Sequence, residues 1–140
     1  MKMRLSEVRI RRMSLMGISN KKLPNRLAYA IAKNLMKLQD EDDLIEKRRV
    51  SIAECYAEKD ELGNAVIEKG AYKFTDENKK IFSEEFEEFV TTETDVDVYK
   101  VSSDVFELLE DARFDALTPA EMVALDFMIN CDNCTGTTEV

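Results

Sequence analysis

The chain has 140 residues, of which 44% are apolar and 35% are charged, and its formal net charge is −9 at pH 7. This length and composition indicate one domain with a modest core, and no apolar run is long enough to predict a membrane span. The lack of histidine removes the commonest general base, and the negative charge disfavours binding to nucleic acid.

The N-terminal sequence and the cysteines predict a cytoplasmic protein. The stretch Met1–Arg12 is basic but lacks the continuous apolar segment of a secretory signal. Cys55, Cys131 and Cys134 are an odd number of cysteines in a chain of ordinary size, which is not the pattern of a disulfide framework. A reducing compartment therefore fits the sequence best.

Charge is divided unevenly along the sequence. Ten basic residues and a single acidic residue, Glu7, precede Gln39, whereas acidic clusters dominate after it. The basic quarter could bind nucleic acid, or it could pair with the acidic part of the same chain or of a second copy. We favour self-pairing, because the chain as a whole is acidic and would repel phosphate. The stretch with Arg9, Arg11 and Arg12 also lacks the interleaved aromatic residues that stack on bases.

A long helical pattern is the most prominent feature of the sequence. The first dozen residues, Met1–Arg12, could form a short strand or the start of a helix, and we favour the strand; a break at Gly17–Asn20 follows. Pro24 then predicts a helix start, because proline is tolerated in the first turn and disfavours helical geometry in the residue before it. The pattern continues to about Lys59, so the helix would be about 54 Å long in a domain with a radius of gyration of about 14 Å. Such a helix must protrude toward a partner or bend.

An apolar seam follows this helix. Apolar residues recur every seven positions, at Ile31, Leu38, Ile45 and Ile52. The second heptad row contains Leu35 and Tyr56 but is interrupted by Asp42 and Arg49. We therefore predict that the first half of the helix packs into the core and that the second half forms an arm.

Turn and cap signals divide the rest of the chain into short elements. The predicted elements are a β-hairpin of Ala65–Glu68 and Ala71–Phe74, a helix from Thr75 to about Val90, a strand over Thr94–Val101, a short helix after Ser103, and a helix that starts at Thr118 and Pro119. The helix after the hairpin carries Phe82, Phe86 and Phe89 on one face, so the arm is its natural antiparallel partner. The strand can pair with the basic N-terminal strand through opposite charges.

These elements predict an α+β fold that is mainly helical. A long helix and an antiparallel partner helix are linked by a β-hairpin, with a small sheet and a C-terminal helix buried on most sides. Residues 1–129 form a single domain with a helical arm, and residues 130–140 form a flexible polar tail. The methionine and phenylalanine side chains at helical spacing are assigned to the core.

Several sequence signatures occur in a familiar order. They are Leu23-Pro24, Cys55-Tyr56-Ala57-Glu58-Lys59-Asp60, the Gly63 turn, the strand Glu93–Val98, Leu117-Thr118-Pro119-Ala120-Glu121 and Phe127-Met128-Ile129. Over residues 3–129 the chain resembles a family of small uncharacterised proteins from phages and prophages of Gram-positive bacteria. The resemblance implies a phage setting and transfers no catalytic residue. The segment Cys131–Val140 departs from the family pattern.

One spacing suggests chemistry, the pair Cys131 and Cys134. Two thiolates separated by two residues can share a metal ion or form a redox pair, but this pair is half of a four-coordinate site and follows a helix end. Acidic pairs such as Asp95 and Asp97 could hold magnesium, but the sequence places no lysine or glycine-rich phosphate cradle with them. We interpret the cysteines as incidental and the acids as a solvated surface, and we assign no metal and no cofactor.

The sequence therefore predicts a non-catalytic, phage-type structural or interaction protein that associates with itself, or with another phage or host protein, through the long helix. The predicted interface residues are Leu38, Ile45, Ile52, Tyr56, Phe82, Phe86 and Phe89. They would pack against each other within one chain or against the same seam of a second copy. The alternative function is an acidic inhibitor or mimic that binds a host nucleic-acid enzyme or a defence protein. The predicted location is the bacterial cytoplasm, with the virion as a second location.

Overall fold

A 32-residue helix, α2, runs through the structure of residues 1–130, which are the residues that the computed structural model describes. The elements in chain order are β1 (Lys2–Arg4), α1 (Leu5–Ile18), α2 (Asn25–Tyr56), β2 (Ile67–Glu68), β3 (Ala71–Tyr72), α3 (Asp76–Phe89), β4 (Glu93–Asp95), β5 (Val101–Ser102), α4 (Val105–Leu108), α5 (Pro119–Leu125), a 3₁₀ turn (Asp126–Met128) and β6 (Ile129–Asn130). The fold is α+β and mainly helical, as predicted.

The long helix α2 begins directly after Pro24 and ends where Ala57 turns to an extended conformation. Its length is about 48 Å. Its buried residues recur at intervals of three, four and seven positions and lie on one face; they are Leu27, Ala30, Ile31, Asn34, Leu38, Ile45, Ile52 and Ala53. One face of α2 is therefore buried from the first turn to the last.

The N-terminal dozen residues form a helix and not the predicted strand, of which only β1 remains. The buried residues of α1 are Leu5, Val8, Leu15 and Ile18, which is a helical spacing that Arg12 interrupts at the position expected to be apolar. Glu7 caps the first turn, since its Oε1 atom accepts a hydrogen bond from the Arg4 amide at 3.1 Å. The strand prediction was wrong because the cation in the middle of the apolar stripe hid the helical period.

The predicted β-hairpin and the helix after it are confirmed. The strands β2 and β3 pair in antiparallel fashion and are joined by Lys69 and Gly70, which both have positive φ angles, 53° and 80°. Thr75 caps α3 by accepting a hydrogen bond from the Asn78 amide at 3.2 Å. The Asn78 side chain in turn donates to the carbonyl of Tyr56 at 3.2 Å, so α3 starts beside the end of α2 and runs back along it.

The strand predicted over Thr94–Val101 is divided in the structure. Its first part, β4, pairs with β1 in antiparallel fashion, with Lys2 opposite Asp95 and Arg4 opposite Glu93, so the predicted charge match is present. Its last part, β5, instead forms a parallel pair with β6. Between them, the backbone of Tyr99 pairs with the Asn34 side chain and not with a neighbouring strand.

The C-terminal elements close the core. The predicted capping box of α5 is present, because the Glu121 amide donates to Thr118 Oγ1 at 3.2 Å and the Thr118 amide donates to Glu121 Oε1 at 2.8 Å. Leu125 is buried, but Val123 is 75% exposed, so α5 is buried on one side and not on most sides. Its short length leaves the outer residues without a covering element.

A single apolar cluster connects β1, α1, α2, β5, α4, α5 and the 3₁₀ turn, from Met3 to Met128. The predicted polar tail, residues 130–140, lies outside the described residues except for Asn130, which belongs to β6.

Asn34 is a buried polar residue of this core, with 1% of its surface exposed. Its amide nitrogen donates to the Tyr99 carbonyl at 2.8 Å, and its Oδ1 atom accepts from the Tyr99 amide at 2.7 Å. One side chain thus pairs both backbone groups of a segment that is not in a sheet. Asn34 thereby fixes this segment against α2.

The core face of α2 can be tested with two neighbouring residues. Ile45 is 1% exposed and Leu44 is 61% exposed. We expect Ile45→Ala to lower the free energy of unfolding by about 2–5 kcal/mol, because it leaves a cavity. Leu44→Ala, the control, should change it by less than about 0.5 kcal/mol. Urea unfolding followed by circular dichroism measures both, and equal effects would contradict the orientation of α2.

The role of Asn34 gives a second test. Asn34→Ala should lower the free energy of unfolding by about 1–3 kcal/mol, because the Tyr99 amide and carbonyl lose their partner. Asn20→Ala, at an exposed turn residue, is the control and should be nearly neutral. Thermal unfolding in which both variants match the unmodified protein would contradict this assignment.

Candidate protein-interaction surface

Four of the predicted interface residues belong to the seam of α2. Leu38, Ile45 and Ile52 are buried within the single chain, with 0%, 1% and 3% of their surfaces exposed. Tyr56 is half-buried, and a hydrogen bond with Glu85 of α3 raises the pKa of its hydroxyl. The seam is thus occupied by other parts of the same chain.

The three predicted phenylalanines line the side of α3 that faces α2. Phe82 and Phe86 are stacked at 6.2 Å between ring centroids, and Phe74 of the hairpin extends the stack at 5.2 Å from Phe82. Phe86 and Phe89 are half-buried and pack against the apolar core. A role for the seven predicted residues in contacts between chains stays a prediction, and it would require this packing to open.

A charged cluster joins α1 to the middle of α2. Arg9 donates from Nε to Asp42 Oδ1 and from Nη2 to Glu46 Oε2, each at 2.8 Å. Arg49 donates from Nε to Glu46 Oε1 at 2.8 Å. Hydrogen bonds from Arg49 and then Arg9 lower the pKa of the Glu46 carboxyl below its usual value. The Arg9 guanidinium also lies 5.8 Å from the centre of the Phe86 ring, so the cluster touches α1, α2 and α3.

Other cations of the basic N-terminal quarter pair with acids of the same chain. The pairs are Arg12 with Asp42 at 3.8 Å, Lys21 with Glu121 at 2.9 Å, Arg26 with Asp104 at 2.8 Å and Lys37 with Asp97 at 3.7 Å. The predicted self-pairing of the basic quarter is confirmed within one chain. These cations are therefore engaged and not arranged as a free basic surface.

The outer side of α3 is acidic. Glu77, Glu84, Glu87 and Glu88 are exposed, and none of them forms an ion pair with another residue in the range 1–130. This surface is the acidic helix that the alternative function requires.

The candidates for chemistry are dispersed in the described part of the chain. Residues 1–130 contain no group of three or more cysteine and acidic side chains placed to hold a metal ion. Cys55 is an exposed free thiol beside a shallow depression of about 490 Å³, where Tyr72 donates to Glu54 at 3.1 Å. Cys131 and Cys134 lie outside the described residues.

Sequence reasoning missed an exposed apolar surface on the outer side of the α1–α2 pair. Its members are Met13, Met16, Tyr29, Ala32 and Met36, and we call it the methionine face. Met13 and Met36 are 69% and 70% exposed, so the assignment of the methionines to the core holds for Met3 and Met128 but not here. The helical period contained the signal, because Met36 is two residues from the buried Leu38 and so points away from it.

Comparison of the chain with protein-family models, with curated proteins and with solved structures finds no match. Among the described residues, no helix is both long enough and apolar enough to cross a membrane.

The charged cluster predicts a specific pH dependence of stability. The pKa of Glu46 is lower in the folded chain than in the unfolded chain. The ionised carboxylate therefore stabilises the fold at pH values above the pKa of the unfolded chain. This stabilisation is lost as the pH falls through the pKa of the folded chain. We expect Glu46→Gln to lower the free energy of unfolding at pH 7 by less than about 1 kcal/mol, because the side chain is 44% exposed.

The difference between Glu46→Gln and the unmodified protein should shrink below about pH 4.5, as the carboxyl becomes protonated in both states. Glu84→Gln, which removes an unpaired carboxylate of α3, is the control and should show no such loss. Urea unfolding at a series of pH values measures these differences. A difference that stays constant from pH 7 to pH 3 would contradict the role of Glu46.

Proposed function

We propose that this protein is non-catalytic and acts by binding proteins, associating with itself through the long helix α2. The observation that carries the proposal is that α2 is buried on one face along its whole length and still presents Tyr29 and Met36 to solvent on the other. A row of exposed apolar side chains on a rigid helix is typical of a protein-binding surface. The charged residues Asp42 and Glu46 of α2 are instead engaged within the chain by Arg9 of α1.

The resemblance to small phage and prophage proteins supports a phage origin of this protein. We propose a phage-encoded structural or interaction protein in the cytoplasm of a bacterial host, with the virion as its second location. The engaged cations of α1 and the overall charge of −9 support a protein partner over nucleic acid.

A second function, that of an acidic inhibitor or mimic, is favoured by the outer side of α3. Its unpaired carboxylates, Glu77, Glu84, Glu87 and Glu88, present negative charge to solvent. Salt-sensitive binding to a host nucleic-acid enzyme, lost in Glu84→Lys/Glu87→Lys, would favour this function. Recovery of the protein in purified phage particles would favour the structural function.

Self-association predicts the mass of the protein in solution. Light scattering behind a sizing column, over a range of loading concentrations, should give a dimer or a larger defined assembly of the 16.1 kDa chain. Burial of the exposed apolar residues of α2 is the expected driving force. A monomer at every concentration would contradict self-association and would direct the search to a different protein partner.

A further inference from the structure

The methionine face contains residues of two neighbouring helices. Arg12 of α1 donates to Gln39 of α2 at 2.5 Å, which places these two residues side by side. The two helices are antiparallel, so the residue one turn after Arg12 in α1 lies beside the residue one turn before Gln39 in α2. Met16 and Met36 occupy those two positions, with 44% and 70% of their surfaces exposed. Met16 and Met36 therefore lie at the same level along the axes of the two helices.

The surroundings of these methionines enlarge the apolar area. Met13 precedes Met16 by one turn of α1, and Ala32 precedes Met36 by one turn of α2. Ala32 is exposed and has a small side chain, so a partner helix can approach the α2 backbone closely at this point. Methionine adapts its shape to a partner and is enriched in interfaces between proteins.

The charges on either side of Met36 are opposite in sign. Lys33 lies one turn before Met36, and Asp40 lies one turn after it. Neither forms an ion pair with another residue in the described part of the chain. The Lys33 ammonium instead lies over the rings of Tyr29 and Tyr99, at 5.6 and 5.1 Å from their centroids.

A surface with a cation on one side of its centre and an anion on the other is complementary to itself in the antiparallel orientation. If a second α2 crosses the first at Met36 in the opposite direction, the Lys33 of each chain faces the Asp40 of the other. A parallel arrangement would instead place like charges together. A two-fold axis through Met36 produces the antiparallel arrangement.

We infer that the methionine face is the contact between two copies of this chain, which pack antiparallel about a two-fold axis near Met36. This inference rests on the proposed self-association and names its surface and orientation. Met13, Met16 and Met36 of the two chains form the apolar centre, and the Lys33–Asp40 pairs flank it.

The competing apolar surface lies on α5. Val123 and Ile10, 75% and 65% exposed, border a shallow groove of about 370 Å³ between α5 and α1. Its polar border is the pair Glu7 and Arg11, which bind each other at 3.5 Å. The charges of this surface already bind each other, whereas Lys33 and Asp40 beside the methionine face form no ion pair with the described residues, so the α5 surface supplies the control.

The experiment compares the dimer dissociation constants of matched variants by sedimentation equilibrium. Met36→Glu and Val123→Glu each replace an exposed apolar residue of a helix by the same charged residue. Met36→Glu should weaken the dimer by about 100-fold or more, because the change occurs twice in a two-fold contact. Val123→Glu should leave it within about 3-fold of the unmodified protein. Equal melting temperatures of the monomers show that both variants fold.

Charge exchange tests the orientation. Asp40→Lys should weaken the dimer, and the double variant Lys33→Asp/Asp40→Lys should restore it, because each chain then presents the exchanged charges to the other. Failure of the double variant to bind more tightly than Asp40→Lys would overturn the antiparallel arrangement.

The outcomes separate this inference from the proposed function. A dimer that Met36→Glu leaves intact would overturn the methionine face as the contact while self-association stands. Loss of the dimer in Val123→Glu alone would transfer the contact to α5. An unmodified protein that is monomeric at every concentration would overturn both the inference and the proposed self-association.

Discussion

The length of α2 is the constraint on which the rest of the structure depends. A helix of about 48 Å is longer than one compact core can cover, so different elements bury successive parts of the same face. The terminal elements of the chain cover its first half through Leu38. The aromatic side of α3 packs along its second half. The second half of α2, which the sequence predicted to form an arm, therefore packs against α3 of the same chain.

The Arg9 cluster links these two groups of elements. Arg9 lies on α1, binds Asp42 and Glu46 of α2, and contacts the Phe86 ring of α3. These ion pairs are partly exposed, so their net contribution to stability is small. The buried residues Leu5, Val8, Leu15 and Ile18 define the face of α1 that packs into the core, and Arg9 extends the contact with α2 beside that face.

The sequence predicted those elements whose signals are local. The capping box at Thr118, the two-residue turn at Lys69 and the heptad positions of α2 required no knowledge of the fold, and all three are observed. Helix α1 was missed because Arg12 stands at a core position of its stripe, where Gln39 and Asp42 of α2 bind it. The methionine face was missed for a related reason. Exposure of Met36 depends on which side of α2 the other elements cover, and a single sequence does not specify that packing.

Hydrogen exchange along α2 tests the central claim, that one chain buries this helix continuously, most directly. We expect the amides from Ile45 to Ala53 in the monomer to exchange as slowly as those from Ala30 to Leu38, through the same global unfolding. Selective fast exchange of the segment after Asp40 would show that the second half of α2 opens independently. That result would contradict this account. It would favour the prediction that Leu38, Ile45 and Ile52 form a contact between chains.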